Sequence, residues 1–157
     1  MNFAIGIPAF NEEKSIASLI IQLKMKYQNI IVCDDGSSDL TGNIAKELGV
    51  IVITHKKNLG YGGAIRSIFL KARELQMDAL VTFDADGQHR IEDIDLVLKP
   101  IKEDKADISI GSRFLENKSK IPKYRKIGIK AITEITNVST GLKVSDSQSG
   151  FRAYNKK

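Results

Sequence analysis

The stretch "LVTFDADGQHRIED", residues 80–93, places two aspartates, Asp84 and Asp86, one residue apart at the end of an apolar run. In an extended chain residues i and i+2 point to the same side, so both carboxylates can reach one point while Ala85 faces away. Two such charges about 4 Å apart repel by roughly 4 kcal/mol at an effective dielectric near 20. A shared proton or a bound cation relieves the repulsion. Oxygen ligands in small number, with room left for water and phosphate, suit Mg²⁺ or Mn²⁺. A plain strand-end turn, with Asp86 capping and Asp84 exposed, accounts for the same residues without a ligand.

Two further polar clusters have the same placement. In "VCDDGSSD", Asp34 and Asp35 end an apolar run and meet Gly36 and Ser37. A carboxylate there can accept hydrogen bonds from a base or from ribose hydroxyls, and Asp-Gly-Ser is equally an ordinary turn. Asn11, Glu12 and Glu13 follow "FAIGIPAF". "GYGGA", residues 60–64, is a poor match to either glycine-rich phosphate motif and reads better as close backbone packing. His55 and His89 have no second His or Cys at a ligand spacing, so neither is expected to bind metal.

The elements that must position these clusters alternate. Strands are expected at 3–8, "NIIVCDD", "VIVITH", "DALVTFD" and "ADISIGSRF". Between them lie helical patterns. One begins at Asn11 as cap, with Glu12 and Glu13 in its first turn and Ile16, Leu19, Ile20 and Leu23 at helical spacing. Another closes at Gly49, a long one follows the glycine-rich turn, and one carries Pro100 near its end. A last helix is expected around 123–140, before a final segment "SGFRAYNKK". This alternation argues an α/β fold with a mainly parallel sheet and helices on both faces. Ligands bind such sheets beyond the carboxyl ends of the strands, where the three acidic clusters would converge.

The 157 residues suffice for one domain with a real core. No apolar run is long enough to span a bilayer, and the N-terminus lacks the pattern of a signal peptide. The single Cys33 cannot form an internal disulfide and fits a reducing compartment, so a cytoplasmic location is expected. The net charge of +5 is unevenly spread: residues 1–98 hold 10 basic and 13 acidic residues, and 99–157 hold 14 and 6. The basic excess peaks in "KSKIPKYRKIGIK", residues 118–130. Without interleaved aromatics or a binding motif, nucleic acid is not the expected partner. A solvated helix face, an anionic membrane surface or a phosphate-bearing substrate fits instead.

"IPAFNEE", "VCDDGSSDLTG", "NLGYGGAIRSIF", "FDADGQH", "GSRF" and "DSQSGFRAY" occur in one order across residues 3–154. Any one is weak; together they resemble the family 2 glycosyltransferases of GT-A fold, most closely the dolichyl-phosphate mannose synthase-like branch. The resemblance implies a Rossmann-like nucleotide-diphospho-sugar transferase fold. It also implies metal-dependent, inverting transfer of a sugar from a GDP- or UDP-linked donor to a polyprenyl or dolichyl phosphate. Residues 1–112 would form the nucleotide-sugar half and 113–157 the acceptor half of a single domain. Relatives usually continue further, so the acceptor half is expected to be incomplete at its C-terminal end.

The resemblance also implies residue roles. Pro8, Ala9, Asn11 and Glu12 would line the nucleotide pocket, with Asp35 binding the nucleoside and Asp34 beside it. Asp84, Asp86 and Gln88 would hold Mg²⁺ or Mn²⁺ and the donor diphosphate, and His89 could line the donor site. Arg113, Arg125 and Arg152 would face the acceptor phosphate. Asp86, Asp146 and Arg113 would be catalytic, with Asp146 the base if the acceptor is a hydroxyl. Asp146 and Ser149–Arg152 would close the site. The run 118–130 would rest on the cytoplasmic face of a membrane. Two alternatives remain from other classes: a domain that binds nucleotide-sugar without turnover, and a haloacid dehalogenase-like phosphohydrolase, suggested by Asp84-Ala85-Asp86-Gly87.

Overall fold

In a computed structural model, which describes residues 1–85, 89–112, 123–141 and 143–156, six strands form one sheet. The strands are β1 (Phe3–Ala9), β2 (Ile30–Asp34), β3 (Ile51–Thr54), β4 (Ala79–Thr82), β5 (Ile108–Ile110) and β6 (Arg152–Asn155). The helices are α1 (Ile16–Lys24), α2 (Thr41–Glu47), α3 (Gly60–Glu74), α4 (Ile94–Lys102) and α5 (Lys123–Thr140); a single 3₁₀ turn, Ile91–Asp93, leads into α4.

The sheet order is β3-β2-β1-β4-β6-β5. Strands β1 to β4 pair in parallel, and β6 runs antiparallel between β4 and β5. The chain winds outward from β1 to β3, then returns to place β4 on the other side of β1. The β1/β4 boundary is therefore a topological switch point, where a crevice opens beyond the strand ends.

Alternation along β1 divides the core. Ile5, Ile7 and Ala9 pack with Ile30, Val32, Val81 and Phe83 beneath α1, α2 and α4. Ala4, Ile31, Cys33 and Leu80 pack on the opposite face beneath Ala64, Ile68 and Ala72 of α3. Gly6 lies on that second face. A Cβ there would collide with Ile68 Cγ2 and stand 3.2 Å from Leu80 Cδ1, so the bare backbone lets α3 lie close to the sheet.

Three local expectations change. Asn11 does not cap α1; Ser15 stands at that position, and Glu12 and Glu13 precede the helix. Asn11 instead adopts a left-handed backbone, φ 55°, which asparagine tolerates. The close-packing reading of the 60–63 glycines holds for Gly63, whose added Cβ would meet Leu59 Cβ at 2.6 Å, but Gly60 and Gly62 face open space. Finally, "RAYN" is a strand inside the sheet, an antiparallel insertion that local pattern did not announce. Pro100 lies in the last turn of α4 as expected.

Candidate active site at the β1/β4 switch point

A cleft of about 430 Å³ lies at this boundary, lined by the ends of three parallel strands and the start of α3. Pro8, Ala9 and Glu12 come from β1 and the loop after it, Asp35 follows β2, and Asp84 and Ala85 follow β4. Gly60 and Tyr61 of α3 complete the wall. The sheet thus brings Glu12, Asp35 and Asp84 to one cavity, although they are 23 and 49 positions apart in sequence. A larger groove of about 900 Å³ between α3 and β6 contains none of the candidate residues.

The loops around the cleft are tied by their own side chains. The Asn11 N–H donates to Ser37 Oγ at 2.9 Å, and Asn11 Oδ1 accepts the Ser38 N–H at 2.9 Å. The Glu12 N–H donates to Thr41 Oγ1 at 2.7 Å, and the Glu12 carboxylate accepts from Ser15 Oγ. Asn11 therefore joins the loops after β1 and β2, while Glu12 reaches the cleft. Asp34 is buried; its Oδ1 accepts the Ser37 N–H at 3.1 Å and its other oxygen abuts Gly42. Asp34 shapes the turn that presents Asp35 and does not line the cleft.

Asp35 is buried and strongly held. Its Oδ1 lies 2.6 Å from His55 Nδ1 and accepts the Leu59 N–H at 2.9 Å, at the N-terminus of α3. Burial raises its pKa, but the hydrogen bonds from His55 and from the Leu59 and Gly60 backbone outweigh it, holding the carboxyl below its ordinary value. Asp35 is consequently a carboxylate at neutral pH, complemented by the positive end of a helix.

Beyond β4, Asp84 accepts the Tyr61 hydroxyl at 3.3 Å. Burial and the Asp84 charge push the Tyr61 phenol upward, so it stays a proton donor. Gly150 presses against this pair: a Cβ there would collide with Asp84 and sit 2.6 Å from the Tyr61 hydroxyl. Thr82 Oγ1 fixes Gly150 by donating to its carbonyl at 2.6 Å. The "SGFR" segment thus backs two residues of the cleft wall, Asp84 and Tyr61, without lining the cleft itself. Its Phe151 enters the core, and Ser149 Oγ donates to the Gly111 carbonyl at 2.7 Å.

Other expected residues lie differently. Asp146 is fully enclosed, accepts the Gln148 N–H at 3.2 Å and is not in the cleft wall. Arg152 donates from Nε to the Ser149 carbonyl and from a terminal nitrogen to the Ser147 carbonyl, both at 2.7 Å, bracing the turn. Its charge still reaches Tyr61 electrostatically. His89 packs against Phe151 and Phe83, away from the cleft lining. Asp86, Gln88 and Arg113, with residues 118–122 of the basic run, lie outside the described residues, as does the side chain of Arg125. Cys33 is free and buried, and burial pushes its thiol up to about 12. Among the described residues no cluster of three His, Cys, Asp or Glu side chains could hold a metal. Asp84, an oxygen donor at the cleft edge beside backbone that must be glycine, is the one candidate ligand the structure describes; it suits a hard divalent ion.

The site residue that the sequence reading missed is His55. A signal was available: Asp34 pairs with Thr54 across β2 and β3, so Asp35 and His55 are the next facing pair beyond the strands.

A family model, glycosyl transferase family 2, matches residues 4–157. The chain belongs to glycosyl transferase family 2. It is 42% identical over 170 residues to a UDP-N-acetylglucosamine–dolichyl-phosphate N-acetylglucosaminyltransferase of Methanococcus voltae, covering 96% of this chain and 68% of that one. It is 31% identical over 157 residues to an undecaprenyl-phosphate mannosyltransferase of Micrococcus luteus, covering 94% and 64%. These names agree with the dolichyl-phosphate mannose synthase-like branch of the family. The chain spans about two-thirds of the length of these curated relatives. The fold is GT-A: it superimposes on glucosyl-3-phosphoglycerate synthase of Mycobacterium tuberculosis, solved with Mn²⁺, UDP and glucosyl-3-phosphoglycerate. The TM-score is 0.75 at 20% identity, over 98% of this chain and 56% of that one. Family membership does not favour the phosphohydrolase reading of Asp84.

Proposed function

We propose that this family 2 protein is an inverting glycosyltransferase that moves a sugar from a nucleotide-diphosphate donor to a polyprenyl or dolichyl phosphate. The observation that carries the reading is the convergence of Glu12, Asp35 and Asp84 in one cleft at the β1/β4 switch point. Asp35 accepts hydrogen bonds from the nucleoside, and Glu12 reaches base or ribose. Asp84, with Asp86 and Gln88 from the same motif, would hold Mg²⁺ or Mn²⁺, which as a Lewis acid stabilises the diphosphate leaving group. Tyr61 orients the Asp84 carboxylate by its hydrogen bond.

The acceptor side follows from charge. A phosphate monoester is anionic at neutral pH and needs positioning more than a base. The enclosure of Asp146, outside the cleft wall, favours such an acceptor over a sugar hydroxyl that would need deprotonation. Arg113 and Arg125 would supply the cationic clamp, with Arg152 contributing charge from its bracing position. In-line attack at the anomeric carbon by an acceptor oxygen inverts its configuration.

A peripheral membrane contact fits the same acceptor. Helix α5 turns polar residues inward: Thr133 Oγ1 accepts the Ser147 N–H at 3.1 Å, and Asn137 exchanges hydrogen bonds with Val144. Its outward face exposes Ile127, Ile135 and Val138 next to the basic run. No helix among the described residues is long and apolar enough to cross a membrane. Exposed apolar residues on a helix whose sequence is rich in Lys and Arg are the pattern of a helix lying on an anionic surface.

Calorimetric titration with UDP and GDP, with Mn²⁺ and then with EDTA, tests the donor site. Binding of one nucleotide that EDTA and Asp84→Asn abolish is expected, followed by transfer of labelled sugar to polyprenyl phosphate. Absence of nucleotide binding under every metal condition would sink the reading.

A further inference from the structure

His55 lies at the end of β3, only 10% exposed in its side chain, between two partners. Its Nδ1 is 2.6 Å from Asp35 Oδ1, and its Nε2 is 2.8 Å from Ser67 Oγ on α3. Cys33 Sγ stands 3.7 Å from the same Nε2. Because Asp35 is ionised, Nδ1 must carry a proton and donate it. Ser67 donates to Nε2 when the ring is neutral, which fixes the Nδ1–H tautomer. The result is one chain, Ser67 to His55 to Asp35, running from α3 to the cleft wall.

These residue types also build hydrolytic triads, where serine is the attacking group. Here Ser67 lies within α3 and outside the cleft lining, so its hydroxyl does not face the cleft. The chain points the other way, toward Asp35. Both direct side-chain and Leu59 hydrogen bonds fall on Oδ1. The Gly60 backbone also donates to the carboxylate, and Oδ2 is the oxygen that a ligand in the cleft would meet.

A carboxylate oxygen can only accept. A base that offers it a ring N–H, uracil at N3 or guanine at N1, forms a charge-assisted hydrogen bond. Cytosine and adenine present a lone pair at the same ring positions and leave two acceptors facing each other. We propose that His55 is a positioning residue for base selection: braced by Ser67, it fixes the Asp35 carboxylate so that the cleft takes a nucleoside diphosphate whose base carries a ring N–H and rejects its amino counterpart. This inference rests on the donor-site reading of Asp35 given above.

The test compares UDP with CDP, and GDP with ADP, by calorimetry on the wild-type protein and on four variants. In the wild type, the preferred ring N–H nucleotide should bind at least about tenfold more tightly than its amino partner, the scale of a charge-assisted hydrogen bond. His55→Ala should shrink that ratio about tenfold. His55→Asn, whose amide nitrogen can occupy the Nδ1 position, should retain most of it, and Ser67→Ala should give an intermediate ratio. Thermal unfolding of each variant checks folding, and a ratio of two affinities is insensitive to the fraction folded. A purely structural role for His55 would weaken both nucleotides equally; an unchanged ratio in His55→Ala overturns the proposal. Asp35→Asn separates the two levels. If it collapses the ratio while His55→Ala does not, only the role of His55 fails. If it leaves the ratio intact, or if the wild type binds no nucleotide, the donor-site reading fails and the proposal with it.

Discussion

Gly150 and Asp84 touch, although 66 positions separate them, and the contact permits no side chain at position 150. The loop after β4 and the turn before β6 meet there, so two motifs far apart in sequence, "FDADGQH" and "SGFR", are in contact. Gly150→Ala must displace Asp84 or the Tyr61 hydroxyl. Overpacking of this kind costs about 1–3 kcal/mol, and the shift moves the candidate metal ligand. The expected outcome is a lower melting temperature together with at least about tenfold weaker Mn²⁺-dependent nucleotide binding, the loss of one charge-assisted contact. Unchanged calorimetric affinity in Gly150→Ala would show that this contact does not set the position of Asp84.

Much of this arrangement was legible from local pattern. Strand–helix alternation fixed the parallel half of the sheet, and the strand-end rule brought Glu12, Asp35 and Asp84 together. What escaped was nonlocal. "RAYN" joins the sheet because its partners, Ala79–Thr82 on one side and Ile108–Ile110 on the other, leave a slot for it. Asn11 looked like a cap by residue type, yet its hydrogen bonds go to Ser37 and Ser38 in another loop. The strand expected to run through Asp84 ends at Thr82, so Asp84 follows β4 instead of closing it, while its partner Asp86 lies outside the described residues. His55 offered no motif by itself; only the β2–β3 register makes it the neighbour of Asp35.

The two glycines Gly6 and Gly62 should respond oppositely to alanine. At Gly6 a methyl group runs into Ile68 between sheet and helix, and Gly6→Ala should cost about 1–3 kcal/mol. Gly62 lies in the first turn of α3 with open space around it. There alanine restricts the unfolded chain, and Gly62→Ala should stabilise by about 0.4–1 kcal/mol. Urea unfolding of the two variants checks both signs.

Asp35 ties stability to acid. Its folded pKa is depressed below the unfolded carboxylate value of about 3.9. Its contribution is fully present above that value and is lost as pH falls through the lower folded one. Asp35→Asn should therefore be less stable than wild type at neutral pH, and the difference should narrow only below about pH 4. Circular dichroism unfolding curves between neutral and acidic pH measure the gap; narrowing already near neutrality would contradict the depressed pKa.

Membrane contact through α5 predicts two separable losses. Ile127, Ile135 and Val138 are exposed, so replacing all three by serine should change stability by no more than about 0.5 kcal/mol per site. If their face enters the lipid interface, the same triple variant should sediment poorly with anionic vesicles. The basic run acts differently: each Lys or Arg near such a surface contributes about 1 kcal/mol, screened by salt. Lys118→Glu, Lys120→Glu and Lys123→Glu together should weaken vesicle binding at least about tenfold at low salt and abolish its salt dependence, whereas the serine variant keeps that dependence. Full vesicle binding in the charge variant would remove the basic run from the acceptor surface.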